Sequence, residues 1–266
     1  MAECKSLYDL CRSGDIEEVR SALERGEDAN KKLSAKGRTA LHVAAVKGHR
    51  EIVALLLEQP RTDFSVTDDA GWTALHLAAY TGHKEVLISL LSQPGVDVNV
   101  ANITGSEAYR GATALHIAAQ LGHMDILALL INCPGIDLNA TSHQGWTALH
   151  YAARSSHKDV VALLLNQPGV DVKATTDMGN TALHCACVSG NCGPDLLRCL
   201  LANSDTDPNV KNTQGRTPIM ILLARSQGNH FEPELKTLCL QAMVEFNNVD
   251  LDIKDARGRG LEDLAR

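Results

Sequence analysis

The chain has 266 residues, 44% of them hydrophobic and 21% charged, and carries a formal net charge of −7. That acidic balance counts against a protein that tracks a phosphate backbone, which needs a basic face. No run approaches the ~18 consecutive apolar residues of a membrane span, and the opening Met1-Ala2-Glu3-Cys4-Lys5 lacks the apolar core of a secretory signal. An intracellular protein, cytoplasmic or nuclear and not inserted in a membrane, is expected.

The first unit covers about residues 6–36, with Gly14 and a predicted helix over Ile16 to Leu23. Its polar residues Asp9, Arg12, Glu17, Glu18, Arg20 and Glu24 suit a terminal cap whose outer face meets water. Thr-Ala-Leu-His then begins at Thr39, Thr73, Thr113, Thr147 and Thr181, with a worn copy at Thr217, at intervals of 34, 40, 34, 34 and 36 residues. A fixed period of this size marks stacked supersecondary units rather than one closed globule. The repeats run over 37–70, 71–110, 111–144, 145–178, 179–214 and 215–257, and a partial unit occupies 258–266. That last stretch reads as the opening of another repeat, so the natural chain is expected to continue past Arg266.

Within the first full repeat, Thr39-Ala40-Leu41-His42 opens a short helix with Leu41, Val43, Ala44 and Ala45 as its apolar stripe. Gly48-His49 breaks the chain, because glycine accepts the left-handed conformation that ends helices. A second helix over Glu51 to Leu57 puts Ile52, Val53, Leu55, Leu56 and Leu57 on one broad face, and Gln59-Pro60 stops it. Residues 63–66 are expected to be extended and to lead into a tight turn rich in Asp and Gly. Neither helix is long enough to stand alone in water, so each must bury its apolar side against a neighbouring pair.

The Gly-x-Thr-x-Leu-His opening, the Gly-His turn (Gly48-His49, Gly82-His83, Gly122-His123) and the Asp97-Val98-Asn99 close together resemble the ankyrin-repeat family. The resemblance implies an all-α repeat solenoid, built of stacked helix-turn-helix units with β-hairpin-like fingertip loops in a single domain over 1–266. It departs from the family only mildly, with alanine standing for the family's proline in five of the six openings. The resemblance further implies that asparagines closing the Asp-Val-Asn motif can be hydroxylated, and Asn99 and Asn139 match by position.

Three places break the period: within 102–110, around 191–195, and between Met220 and Asp250. Loop insertions cost little, although binding segments also favour them. The cysteines at 185, 187 and 199 fall on small-hydrophobe positions, which points to reduced thiols packed in the core. Histidines recur one repeat apart, at 42, 76, 116, 150 and 184 and at 49, 83, 123 and 157, too far apart to share a zinc ion. The resemblance assigns them to hydrogen bonding between loops. Cys185 and Cys187 are two apart on a helix and diverge. No phosphate loop, dinucleotide fingerprint or nucleophile elbow is present. No cofactor, no metal and no enzymatic activity are expected.

Subtracting the shared pattern leaves variable fingertip and inner-helix positions, which in the resembled family line a concave recognition surface. Here the candidate partner-binding set is Arg38, Lys47, Trp72, Tyr80, Arg110, Gln120, Leu121, His143, Trp146, Arg154, Met178 and Asn180. Aromatic residues make up only 3% of the chain, yet both tryptophans stand just before an opening threonine, with Tyr80 and Tyr109 nearby in the repeat frame. Trp, Tyr and Arg supply large, rigid contact area at interfaces. The expected function is therefore a monomeric protein-recognition module, an adaptor, scaffold or regulatory subunit. The alternatives are a nucleotide- or oligonucleotide-sensing domain and a spacer for a domain beyond Arg266.

Overall fold

Each Thr-Ala-Leu-His opening builds a helix start from its own atoms. In the computed structural model, which describes residues 5–103, 109–189, 192–224, 233–246 and 249–265, the Thr39 backbone N–H donates to His42 Nδ1 at 3.2 Å. Thr39 Oγ1 lies 2.8 Å from the same nitrogen. The arrangement recurs at Thr73, Thr113, Thr147 and Thr181. This is a capping box in which histidine takes the place usually held by Glu or Gln.

Fifteen helices form among the described residues, five of them from these starts. The cap holds α1 (Leu7–Ser13) and α2 (Ile16–Glu24). The inner helices are α3 (Ala40–Lys47), α5 (Ala74–Thr81), α7 (Ala114–Leu121), α9 (Ala148–Arg154), α11 (Ala182–Val188) and α13 (Pro218–Ala224). Their outer partners are α4 (Arg50–Leu57), α6 (Lys84–Leu91), α8 (Met124–Ile131), α10 (Lys158–Leu165), α12 (Pro194–Leu201) and α14 (Pro233–Val244), and α15 (Leu261–Ala265) closes the order. No described helix is long and apolar enough to cross a membrane.

Gly48 ends α3 at φ 73°, and a Cβ built there would fall 2.7 Å from the His83 ring. Both the backbone and the neighbouring repeat therefore require glycine. In the fourth full repeat Ser156 takes this place at φ 62°; its Oγ lies 2.7 Å from Ser189 Oγ.

The loops depart from the sequence expectation in one respect. Phe64 and Ser65 form a turn rather than extended chain, because the Asp63 carboxylate accepts the Ser65 N–H at 2.9 Å. A short acidic side chain competing for nearby backbone donors favours that outcome. The fingertips are hairpin-like without strands among the described residues. Asp68 N–H donates to Trp72 O at 2.9 Å, and Gly71 N–H to Asp68 O at 2.9 Å. Of the three period-breaking segments, residues 104–108, 190–191, 225–232 and 247–248 lie outside the described residues.

The chain divides into two compact units, Met1–Ala118 with Asp125–Asp137, and Ala119–Met124 with Leu138–Arg266. In the first, α1 packs on α3, α3 on α5, α2 on α4 and α4 on α6. Its alanine pairs Ala44-Ala45 and Ala78-Ala79 have no exposed surface, so the inner helices approach closely. Ile52, Val53, Leu56, Val86, Leu87 and Leu90 fill the space behind them. In the second unit α9 packs on α11, α11 on α13, α10 on α12 and α12 on α14. Ala152, Ala153, Val161, Leu164, Leu197 and Leu200 form its core. No disulfide joins the cysteines among the described residues. Cys185 and Cys187 are buried, and burial pushes the Cys185 thiol up to about 12, as for an inert packing residue.

Candidate interaction surface

Two ladders of hydrogen bonds fix the fingertips. Because each opening histidine accepts a backbone N–H at Nδ1, its proton sits on Nε2, which donates to a carbonyl of the next repeat. The acceptors are Trp72 O for His42 (2.9 Å) and Ala112 O for His76 (3.2 Å). In the second unit they are Asn180 O for His150 (3.0 Å) and Arg216 O for His184 (3.0 Å). Burial holds all four imidazoles below the usual histidine range, His76 and His150 down to about 4. Both ring nitrogens of these four histidines are engaged in structural hydrogen bonds. The second ladder runs the other way, with His83 Nε2 on Val46 O at 3.1 Å and His157 Nε2 on Gln120 O at 3.0 Å.

Asparagines stitch the opposite end of several repeats. Asn99 Nδ2 donates to Gly135 O at 2.8 Å while its Oδ1 accepts Asp137 N–H at 2.9 Å. Asn139 does the same with Gly169 and Asp171, at 2.7 and 2.8 Å. Asn30 makes the same pair of bonds to Arg61 and Asp63. Where Lys173 replaces the asparagine, an exposed ion pair from its Nζ to Asp205 at 3.2 Å stands in.

On this frame the first unit carries an open groove of about 630 Å³, bordered by Ala35, Lys36, Arg38, Asp68, Asp69, Ala70, Trp72, Leu77, Tyr80 and Tyr109. Asp68, with a side chain only 2% exposed, accepts Arg38 Nε at 3.0 Å and the backbone N–H groups of Ala70 and Trp72. With its N–H held by Asp68 and its carbonyl by His42, Trp72 is fixed at both main-chain ends. Its half-buried ring meets Tyr80 and Tyr109 edge to face at centroid distances of 5.4 Å each.

The family comparison agrees with this geometry. The family model described as ankyrin repeats (3 copies) matches residues 7–102, 101–176 and 143–212. The chain belongs to the ankyrin-repeat family. Ankyrin repeats are in general non-enzymatic modules that bind other proteins. No curated protein matches the chain.

Within the ankyrin frame the sequence-derived residues fall in different settings. Arg38, Trp72 and Tyr80 border the same groove. Lys47 and Arg110 are exposed outside it. In the second unit His143, Arg154 and Met178 are exposed, Met178 to 55%, while Gln120 and Leu121 are half-buried. Asn180 is tied into the scaffold, its Oδ1 accepting Asn212 Nδ2 at 2.9 Å. Trp146 shares the frame position of Trp72 and likewise has its opening histidine near, His150 at 6.2 Å against His76 at 6.1 Å for Trp72, but its tyrosine neighbour is Tyr151, at 5.3 Å between ring centroids. Tyr151 is buried and its hydroxyl lies 2.9 Å from Ser142 Oγ. Reasoning from the repeat frame placed Tyr109 near the tryptophans without including it in the candidate set, and passed over Lys36 and Asp68. Tyr109 sits in the inserted segment, where no counterpart exists for comparison; its being one of few aromatic residues was the available signal.

Proposed function

We propose that this ankyrin chain is an adaptor or regulatory module that grips a segment of a partner protein along its fingertips and inner helices. Trp72 and the groove beside it are the principal contact. The observation that carries this reading is the fixed fingertip: Trp72 is held at both main-chain ends and half-exposes its ring beside Tyr80, which is 45% exposed. A surface ordered before contact loses little freedom on association. Trp146, with exposed Arg154 and His143 in its own unit, supplies a second contact.

Affinity capture of the partner, followed by calorimetry, tests the reading. Trp72→Ala and Trp146→Ala are each expected to weaken binding by about 2 kcal/mol or more. Unchanged affinity in both variants, with helicity intact, discards the placement.

A further inference from the structure

Two fingertip loops have nearly the same sequence. Ser34-Ala35-Lys36-Gly37-Arg38 and Asp255-Ala256-Arg257-Gly258-Arg259 exchange one basic residue for another and, at the first position, a hydroxyl for a carboxylate. Their turns match as well, with Gly37 at φ 65° and Gly258 at φ 74°. Asp255 Oδ1 accepts the N–H groups of Arg257 and Arg259 at 2.8 and 3.0 Å. Ser34 Oγ accepts those of Lys36 and Arg38 at 3.2 and 2.9 Å.

The last arginine of each loop behaves differently. Arg259 folds back onto Asp255 Oδ2, with Nε at 3.0 Å and Nη2 at 2.8 Å. Arg38, which finds only a neutral hydroxyl in its own loop, reaches Asp68 Oδ2 of the next fingertip with Nε at 3.0 Å. A third loop, residues 212–216, puts a neutral asparagine before an arginine. Asn212 Oδ1 accepts the N–H groups of Gln214 and Arg216 at 3.0 Å each, and among the described residues Arg216 bonds to it through the main chain alone. Charge at the first position, rather than the shape of the loop, therefore draws the arginine back.

Ser34 is also placed to acquire charge. It is the one serine or threonine of the chain with basic residues both two and three positions before it, Lys32 and Lys31. Both lysines are exposed, Ser34 is half-buried, and residues 31–36 belong to no helix. Paired cations on that side of a hydroxyl are complementary to a protein kinase with an acidic substrate groove.

We propose that Ser34 is a phosphorylation site for such a kinase, and that the phosphate takes Arg38 from Asp68 and so loosens the Trp72 fingertip. This deepens the binding reading above and rests on it. In the transfer the Ser34 oxygen attacks the γ-phosphorus of ATP, the bond to the β-phosphate oxygen breaks, ADP leaves and the hydroxyl proton is released. The new group brings a charge of about −1.5 to −2 and three acceptor oxygens. It stands at the loop position from which Asp255 holds Arg259. Asp68 then keeps the Trp72 N–H without its cation, and the groove edge, where Lys36 and Arg38 had cancelled Asp68 and Asp69, becomes acidic.

The full chain is incubated with ATP and the catalytic subunit of cyclic-AMP-dependent kinase. Mass spectrometry is expected to place phosphate on Ser34, and joint Lys31→Ala and Lys32→Ala substitution to slow its incorporation about tenfold or more. No phosphate on Ser34 of the folded chain, or equal rates in the lysine variant, overturns the site. By phosphorus NMR the phosphate of the modified chain should titrate about half a pH unit or more higher in Arg38→Gln than in the parent. An unmoved midpoint overturns the capture of Arg38. Phosphorylation should weaken binding of the captured partner about tenfold, and Ser34→Asp, which copies the acid of loop 255–259, should do so in part. Unchanged or tighter binding overturns the regulation. If Trp72→Ala leaves partner affinity unchanged, the binding surface falls and its regulation with it, while the site and the capture of Arg38 are still decided by the first two measurements.

Discussion

At the residue scale, the opening histidines do the work of both cap and bridge. Nδ1 accepts within the repeat and Nε2 donates to the next, so only the neutral ring satisfies both bonds. A folded-state pKa below the unfolded value, near 6.5, means that protonation favours unfolding. The stabilisation is complete above about pH 6.5 and is lost as pH falls toward 4 through the values of His76 and His150. Each of these two should lose on the order of 3 kcal/mol by pH 4, so urea midpoints should drop steeply over that window. His76→Gln, which keeps an acceptor at the cap, should flatten the pH dependence. Gly48 supplies a second residue-scale expectation. Gly48→Ala should destabilise by about 2 kcal/mol or more, since it adds left-handed strain to a contact with the His83 ring. Denaturant titration measures this directly, and a neutral outcome would mean the helix end can be rebuilt.

At the element scale, helices of seven to nine residues survive only because their neighbours cover them. The alanine pairs set how close those neighbours come. Ala78 has no exposed surface on α5, which packs against α3. Ala78→Leu is expected to cost about 1–3 kcal/mol through overpacking, read as a lowered thermal midpoint with helicity retained below it. The asparagine stitches add a different kind of link, joining loops rather than helices. Asn99→Ala removes one donor and one acceptor that hold Gly135 and Asp137, and should cost about 1–2 kcal/mol. Faster amide exchange at Asp137 in that variant would locate the loss in the loop.

At the scale of the whole molecule, net charge bears on the kind of partner. A chain of net charge −7 lacks the overall positive charge with which many nucleic-acid binders release counterions. Partner affinity is therefore expected to change by no more than about tenfold between 50 and 200 mM salt, against ~10³–10⁵ for a protein making many phosphate contacts. A steep salt slope measured by calorimetry would favour the nucleic-acid reading instead. The division into two units, each with its own buried alanine and leucine core, lets the Trp72 groove be described from residues of the first unit alone.

Local chemistry written in the chain determined much of this. A threonine, a histidine three residues on and a glycine at the turn dictate where helices begin and end, because capping and left-handed backbone are short-range properties of those residues. The period made the repeat architecture and the packing roles of Leu56 and Ala44 legible without coordinates, while the family resemblance assigned His42 to hydrogen bonding. Which side chains converge was another matter. Two tryptophans at one frame position acquired different tyrosine neighbours, Trp72 gaining Tyr109 from an inserted segment and Trp146 gaining Tyr151 from the helix that follows it. Likewise Asn180, which reads as a free fingertip residue, is bonded to Asn212 in the next loop. Only the tertiary structure decides such pairings, because they depend on distances between repeats, and a pattern defined within one repeat contains no such distances.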